Sequence, residues 1–261
     1  MESSVSGNNY LPIKELTLRM TKNFWIIKCL IAALLIVFTT SCNKVNEPVF
    51  GGTVNDIDGN VYHTVTIGSQ TWLIENLKTT HFNDSTSIPL VIDSLAWTKL
   101  QTPGFCWYEN DSITNNKTYG ILYNWYVVNS NKIAPKGWHV PSDDEWTILE
   151  NNVSQFYNTS GSLAKILASV SYWRKSTSSG AIGNNTTKNN TSGFSAVPGG
   201  YKLINKYYFS KIDSLGVWWS STEQTDSINK AWCMSLRNDL STVERSSYLK
   251  QSGFSIRCIK N

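Results

Sequence analysis

Cys42 is the residue whose chemistry the sequence defines most clearly. It ends the segment TTSC (39–42) and follows an uncharged apolar run, CLIAALLIVF, at residues 29–38. That run is about half of the roughly 20 residues that a membrane-spanning helix needs, and Lys22 and Lys28 precede it. A basic start, a short apolar middle and small residues before a cysteine are typical of a bacterial lipoprotein signal. We therefore predict that the thiol of Cys42 carries a diacylglyceryl group, which anchors the protein to a membrane.

The same pattern predicts the limits of the precursor. Residues 1–19 add a polar stretch ahead of the basic region, so we interpret them as a mis-assigned extension and Met20 as the natural start. Residues 20–42 are then the signal peptide, and residues 43–50 form a tether. An ordinary secretory signal and a buried apolar helix are the alternatives for the apolar run.

The rest of the chain offers few residues in a catalytic pattern. Its three histidines, His63, His81 and His139, are far apart in sequence, and each fits a strand or a loop better than a metal site. The motifs G-x-S-x-G, H-E-x-x-H and C-x-x-C do not occur, and there is no phosphate-binding glycine loop. The sequence therefore predicts no catalytic residue and no cofactor.

One group of polar residues has the spacing of a calcium loop. Asp56, Asp58 and Asn60 form a D-x-D-x-N pattern. An EF-hand loop would also need Gly at its sixth position and Glu at its twelfth, where this chain has Val61 and Ile67. We interpret the polar side chains as turn residues and predict no metal site.

Composition narrows the classes of function further. The formal net charge is only +4, charged residues make up 16% of the chain, and no basic stretch is present that would neutralise phosphates. Nucleic acid is therefore not an expected partner. The chain contains 11 Trp and 12 Tyr, and such residues both fill a core and form flat platforms for sugar rings.

Two local patterns predict regular structure. Alternating apolar residues on both sides of Asp58 and Gly59 predict a hairpin with a type I′ turn. Ser142 and Glu145 have the spacing of a capping box, which predicts the start of a helix there. The acidic residues of that first turn are explained by helix stabilisation rather than by acid/base chemistry.

The remaining pattern predicts a single α+β domain at residues 51–261, with short antiparallel strands, one or two helices and long loops. Residues 163–170 predict a second, weaker helix. The run of Ser, Gly, Asn and Thr at 176–192 predicts an exposed loop. Residues 254–259 predict a closing strand.

A series of ordered motifs resembles a known family, the Fibrobacter succinogenes major paralogous domain. The resemblance spans roughly residues 51 to 261 and implies a C-type lectin-like fold. Members of that family are commonly lipoproteins or secreted modules of Bacteroidota-type bacteria, and the fold hosts sugar binding, protein binding and catalysis alike. The motifs are IGSQTWLIENL (67–77), FCWYEND (105–111), YGILYNWYVV (119–128), APKGWHVPSDDEW (134–146), SGFSAVPGGY (192–201), WWSSTE (218–223) and SGFSIRCIKN (252–261).

Two kinds of protein with this fold have known functional motifs, and the present sequence matches both sets of motifs poorly. The formylglycine-generating enzyme holds copper with two cysteines a few residues apart, and the mature region has no such pair. Calcium-dependent lectins carry a Glu-Pro-Asn or Gln-Pro-Asp element followed by Trp-Asn-Asp. Only Arg237-Asn238-Asp239 is similar to the second element, and the first is absent from the domain.

Cys106, Cys233 and Cys258 are the cysteines left for the mature domain. In an oxidising compartment an odd number indicates one disulfide and one free thiol, and spacing alone allows three pairings. Family members often have cysteines at the positions of Cys106 and Cys258. The resemblance therefore implies a Cys106–Cys258 bridge and a reduced Cys233.

A ligand site is predicted at Tyr172, Trp173 and Arg174. Trp173 precedes the polar loop at 176–192 and lies outside the motifs, so a sugar ring stacked on it, beside Tyr172 and Arg174, is one interpretation. The other interpretation is that Trp173 closes the base of the loop as a core residue.

These observations favour a non-enzymatic lipoprotein of the bacterial cell envelope, lipid-anchored and expected in the outer membrane, with a lectin-like module that binds a glycan or a surface protein. A structural or accessory subunit of a surface assembly is the alternative, and an unrecognised enzyme on a formylglycine-generating-enzyme-like fold is a second one. The residues after Cys42 lack the acidic cluster that some lipoproteins use for surface export. Periplasmic and surface-exposed faces therefore both stay open.

Overall fold

The computed structural model describes residues 48–157, 162–204 and 209–261. The predicted extension (1–19), the signal peptide (20–42) and the lipidation site Cys42 lie outside the described residues. The tether prediction is wrong at its end, because the first strand, β1, already begins at Val49. Of the predicted tether, residues 43–47 lie outside the described ranges.

The first hairpin forms where the sequence predicts it. β1 (Val49–Asn55) pairs antiparallel with β2 (Val61–Ile67). The carboxylate of Asp56 accepts hydrogen bonds from the backbone of Asp58 and Asn60, at 3.0 and 2.9 Å, as expected of a turn residue. The turn type differs from the prediction: Gly59 has a φ of +81°, whereas Asp58 does not have the positive φ that a type I′ turn requires.

Two five-stranded sheets and a two-stranded ribbon make up the β structure of the described residues. The first sheet has the order β1-β2-β3-β12-β6, the second has the order β11-β10-β9-β7-β8, and β4 pairs with β5. All pairs are antiparallel except β7 with β9. The strands after β2 are β3 (Gln70–Leu73), β4 (Phe105–Cys106), β5 (Leu122–Tyr123), β6 (Trp138–His139), β7 (Gly199–Lys202), β8 (Phe209–Ile212), β9 (Leu215–Glu223), β10 (Lys230–Arg237), β11 (Glu244–Leu249) and β12 (Ile259–Lys260).

The helices confirm the α+β class but outnumber the prediction. Five lie in the described ranges, and three of them, α1 to α3, were not predicted, because they are too short to show a helical period and begin at Asp or Asn caps. The predicted weaker helix ends three residues earlier than expected. The helices are α1 (Ser94–Thr98), α2 (Ser112–Tyr119), α3 (Trp125–Asn129), α4 (Asp143–Phe156) and α5 (Leu163–Leu167).

The capping box predicted for α4 is present. Ser142 Oγ accepts from the backbone NH of Glu145 at 3.2 Å, and the Glu145 carboxylate accepts from the backbone NH of Ser142 at 2.8 Å. Trp146, Leu149 and Val153 form the buried face of the helix. This face packs on the first sheet and the second sheet together.

The second sheet is buried on both faces along its middle. Alternate residues of β9 point into different apolar clusters, Val217 and Trp219 into a central cluster and Trp218 into a cluster beneath α4. β10 alternates in the same way, with Cys233 in the central cluster and Met234 beneath α4. We keep the name central cluster for the first of these two apolar clusters, and we name the second, beneath α4, the helix-side cluster.

A buried arginine ties the two sheets together. Arg257 has 0% of its surface exposed, and its Nη1 donates to the carbonyl oxygens of Leu73 and Phe194 at 2.9 and 2.8 Å. Asn76 Oδ1 accepts from Arg257 Nη2 at 3.2 Å and from the indole NH of Trp218 at 2.8 Å. Burial lowers the pKa of Arg257 to about 9, so the guanidinium remains charged at neutral pH.

The closing strand is shorter than predicted. β12 covers only Ile259 and Lys260, and Phe254 and Ser255 form isolated bridges to neighbouring chain segments instead. Ser255 and Arg257 are as buried as Phe254, so this segment does not have one apolar and one polar face. Polar contacts of the kind made by Arg257 explain why an alternating sequence is buried on both sides.

The predicted Cys106–Cys258 disulfide is absent from the structure, in which Cys106, Cys233 and Cys258 are free and buried. β4 alternates, so Phe105 points into the central cluster whereas Cys106 packs in a separate small cluster with Trp97. Cys258 belongs to the central cluster. Burial raises the pKa of all three thiols, that of Cys106 to about 12, so they stay protonated and unreactive at neutral pH.

Candidate functional site

An open groove lies on the second sheet, where the central cluster ends. Its volume is about 440 Å³. Val217 and Ser235 continue the core-facing side of β9 and β10 into it, so its floor is the sheet itself. We name it the sheet groove. Its lining residues are Tyr201, Leu203, Lys211, Ser214, Leu215, Val217, Ser235, Arg237, Asn238, Asp239, Glu244, Ser246, Tyr248 and Phe254.

An ion pair forms one end of the sheet groove. Arg237 binds Asp239 through two hydrogen bonds, Nε to Oδ1 at 3.1 Å and Nη2 to Oδ2 at 2.9 Å. The hydrogen bond from Arg237 holds the pKa of Asp239 below its ordinary value, and the same bond raises the pKa of Arg237. Glu244 lies 3.9 Å from Arg237 Nη1. Charged donors and acceptors are therefore held in place at this end before any ligand arrives.

Aromatic side chains form the other wall. Tyr248 is partly exposed, and its ring meets the buried ring of Phe254 edge to face, with centroids 5.2 Å apart. Burial raises the pKa of Tyr248, so its hydroxyl stays neutral and both donates and accepts hydrogen bonds. Tyr201 lines the groove from β7. A ring face beside hydroxyl, amide and carboxylate groups is the combination that binds sugars.

The polar loop at 176–192 is exposed only in part, whereas the sequence predicts an exposed loop. Ala181 and Ile182 are buried, and the ammonium group of Lys165 donates to the carbonyl oxygens of both, at 3.2 and 3.5 Å. It also donates to the carbonyls of Asn184 and Asn185. The Lys165 ammonium group thus stabilises the loop by hydrogen bonds, because the Ser, Gly, Asn and Thr residues of the loop offer few apolar contacts.

This loop in turn holds the end of the sheet groove. The NH of Ile182 donates to the carbonyl of Leu240 at 3.1 Å, and the NH of Gly183 donates to that of Asn238 at 2.7 Å. A Cβ at Gly183 would overlap the carbonyl oxygen of Arg174, so only glycine fits this approach. Asp239 lies in the turn between these two bonded residues and is positioned by the loop.

The three residues predicted to bind a ligand do not share a surface. Trp173 is 6% exposed, packs in the helix-side cluster, and donates its indole NH to the carbonyl of Ala196 at 3.1 Å. This burial favours the alternative interpretation, a core residue at the base of the loop, over a stacking platform. Tyr172 is 54% exposed, and Arg174 forms an exposed ion pair with Asp213 at 3.0 Å. None of the three lines the sheet groove.

The histidines each pair with a carboxylate rather than with one another. Within the described ranges, no three His, Cys, Asp or Glu side chains come together in a way that could hold a metal ion. Likewise, no helix in the described part of the chain has the length and hydropathy to cross a membrane. The pairs are His63 with Glu75 at 2.7 Å, His81 with Asp58 at 2.6 Å and His139 with Glu145 at 2.8 Å.

One segment of the sheet groove is conspicuous in the sequence, although the sequence does not indicate its role. Arg237-Asn238-Asp239 was singled out only for its similarity to a lectin element, and the structure places it at the charged end. The aromatic wall and Glu244 gave no local signal, because they come from separate strands. Their common location follows from the strand order β11-β10-β9-β7-β8.

Comparison with known proteins identifies the family of the chain but no specific function. No curated protein matches the chain, and no solved structure matches it. The family model described as the Fibrobacter succinogenes major domain matches residues 65–260, which contain both sheets apart from β1 and the start of β2. The chain therefore belongs to the Fibrobacter succinogenes major domain family.

Proposed function

We propose that the protein is a non-enzymatic lipoprotein of the bacterial cell envelope that binds a glycan in the sheet groove through a C-type lectin-like domain. The observation that carries this proposal is the pairing of Tyr248 with the fixed Arg237–Asp239 ion pair in one open groove. Sugars present an apolar ring face and a rim of hydroxyl groups, and this surface complements both.

The polar end suits hydroxyl groups for a physical reason. The Asp239 carboxylate keeps lone pairs free beyond the two that Arg237 uses, and adjacent sugar hydroxyls donate to such an oxygen pair. Hydrogen bonds to charged groups contribute about 1.5–3 kcal/mol each, roughly one to two powers of ten in affinity. The groove also carries opposite charges close together, which favours a neutral ligand over a polyanion.

A glycan array probed with the full chain tests the proposal. We expect binding to a restricted set of glycans, with affinity falling at least 10-fold in Arg237→Ala and in Asp239→Asn. Arg174→Ala is the matched control, because Arg174 also forms an exposed ion pair with an aspartate but lies outside the groove. Its affinity should stay within about 2-fold of the original.

Other outcomes of that experiment favour the alternatives. An array without binding, together with a single partner recovered by cross-linking in cells, supports an accessory subunit of a surface assembly. Chemical change of a bound glycan supports an enzyme. Equal losses in Arg237→Ala and Arg174→Ala would remove the sheet groove as the binding site.

The membrane anchor is part of the same proposal. Only Cys42 follows the signal-like run, so a labelled palmitate analogue should be incorporated into the original chain and not into Cys42→Ala. Incorporation that survives the substitution would rule out lipidation at this residue. Protease treatment of intact cells distinguishes a surface-exposed domain from a periplasmic one.

A further inference from the structure

A second cavity lies at Tyr172, apart from the sheet groove. It has a volume of about 240 Å³ and shares no lining residue with the groove. Its polar lining includes Glu75, Asn190 and Ser195, and its apolar lining includes Ile74, Val170 and Val197. The exposed ring of Tyr172 forms one side. We name it the Tyr172 cavity.

Three residues in the lining of this cavity have a strained backbone conformation. Tyr172, Asn190 and Ser195 have φ values of +74°, +66° and +55°, a left-handed conformation that side chains other than that of glycine rarely adopt. Asn tolerates it best, whereas a bulky aromatic residue there is an outlier. Strained residues persist where the surrounding structure imposes them, and they cluster at sites that hold ligands.

Hydrogen bonds keep the strained residues in place. Asn190 Nδ2 donates to Ser195 Oγ at 2.7 Å, and the backbone NH of Ser195 donates to Asn190 Oδ1 at 2.8 Å. The ring of Tyr172 meets that of Tyr119 edge to face, with centroids 5.9 Å apart. The aromatic face is thereby presented in a fixed orientation although more than half of the residue is exposed.

Glu75 provides a fixed acceptor in the lining of the same cavity. Its carboxylate accepts from the backbone NH of His63 at 2.8 Å and lies 2.7 Å from the ring Nδ1 of the same histidine. Each carboxylate oxygen has a further lone pair available for a ligand. The cavity therefore combines an aromatic face, an oriented carboxylate and apolar side chains.

We propose that the Tyr172 cavity is a second binding site, specific for an N-acetylated hexosamine residue. The sugar ring stacks on Tyr172, one of its hydroxyl groups donates to Glu75, and the acetamido methyl packs against Ile74 and Val170. Apolar side chains beside the polar groups account for the N-acetyl group, since a plain hexose has no methyl group to pack against them. The volume suits one sugar residue rather than an extended chain.

Saturation-transfer NMR on the full chain, with N-acetylglucosamine as the probe and glucose as the matched control, tests this site. We expect saturation of the acetamido methyl group and an affinity at least 10-fold above that for glucose. Tyr172→Ala and Glu75→Gln should each reduce affinity at least 10-fold, whereas Tyr172→Phe, which keeps the ring, should stay within about 3-fold. Lys132→Ala is the matched control and should leave binding unchanged, because Lys132 lines neither cavity and forms an exposed ion pair with Asp84. Arg237→Ala reports whether the probe binds in the sheet groove instead.

The outcomes separate this site from the sheet groove. Equal binding of glucose, or full affinity in Tyr172→Ala, would overturn the proposal even if the glycan array succeeds. Loss of N-acetylglucosamine binding in Arg237→Ala alone would transfer that ligand to the groove and also overturn it. Absence of binding to the monosaccharide at millimolar concentration would do the same.

A stability measurement tests the strain independently of any ligand. Tyr172→Gly and Tyr172→Ala both remove the ring, but only glycine adopts the left-handed conformation without strain. The melting temperature of Tyr172→Gly should therefore exceed that of Tyr172→Ala by about 2–4 °C. A lower melting temperature for the glycine variant would show that residue 172 is not strained, and the argument for a preorganised cavity would fail.

Discussion

The buried network around Arg257 and the sheet groove use the same kinds of polar side chain for opposite purposes. Arg257 is buried and donates to backbone carbonyls of two distant segments. Arg237 is half-exposed and binds a neighbouring carboxylate, Asp239, at the surface. Arg257 joins two segments of the chain in the interior, whereas Arg237 is exposed to solvent.

The two regions also differ in where their residues come from. Asn76, Phe194, Trp218 and Arg257 belong to four of the seven sequence motifs, and all meet in the buried network. Of the residues that line the sheet groove, only Tyr201 and Phe254 lie in those motifs. The motifs therefore supply the buried network, whereas most of the lining of the sheet groove comes from residues outside them.

Replacing Arg257 should produce the largest loss of stability. Arg257→Ala leaves a cavity and removes the hydrogen bonds to the carbonyls of Leu73 and Phe194, so we expect the free energy of unfolding to fall by about 4–5 kcal/mol. Denaturant unfolding measures this loss. Arg237→Ala is the control, with an expected change below about 1 kcal/mol. Similar losses in the two variants would contradict the division between scaffold and binding surface.

Trp173 sharpens the comparison, because it lies outside the motifs but inside the core. Trp173→Ala removes a buried ring and the hydrogen bond to Ala196, so we expect a loss of about 3–4 kcal/mol in unfolding free energy. The exposed neighbour Arg174 provides the control, since Arg174→Ala should change stability by less than about 1 kcal/mol. Loss of glycan binding without loss of stability would restore the earlier interpretation of Trp173 as a platform.

Lys165 stabilises the loop that holds the turn of Asp239. Lys165→Met keeps the length of the side chain but removes the donor to four loop carbonyls, so we expect a loss of about 1–3 kcal/mol. Hydrogen exchange should accelerate at Ile182 and Gly183, whose NH groups hold the turn that carries Asp239. Lys188→Met, an exposed neighbour, is the matched control. Unchanged exchange at Ile182 and Gly183 in Lys165→Met would show that the ammonium group does not order the loop.

The sequence predicts local structure well where one short segment contains all the partners. The capping box of Ser142 and Glu145 and the hairpin around Gly59 are confirmed, because each depends on residues a few positions apart. Helices α1 to α3 escaped prediction since five to eight residues are too few to show a period. A disulfide between Cys106 and Cys258 was inferred from family resemblance, and the alternation of β4 turns Cys106 away from the cluster of Cys258.

The sheet groove could not be predicted, because it is assembled from strands that are distant in sequence. Arg237 and Asp239 are close in the chain and were noticed, whereas Tyr248 joins them only through the pairing of β10 with β11. The burial of Trp173 depends in the same way on contacts with distant residues. A site whose residues meet only in the folded protein therefore forms no motif in the sequence, where its members are separate residues.

The smallest expected effect is the titration of Asp239, which reports whether the ion pair of the sheet groove exists in solution. The hydrogen bond from Arg237 lowers the pKa of Asp239 below the ordinary value of 3.8, so the carboxylate stays charged as the pH falls to that value. Glycan affinity should therefore be constant from pH 7 to about pH 5 and fall only below about pH 4. In Arg237→Gln the pKa should rise back towards 3.8, and the loss of charge should begin at a higher pH. A ¹³C NMR titration of the Asp239 carboxyl group measures both midpoints, and equal midpoints would mean that the two side chains are not paired before a ligand binds.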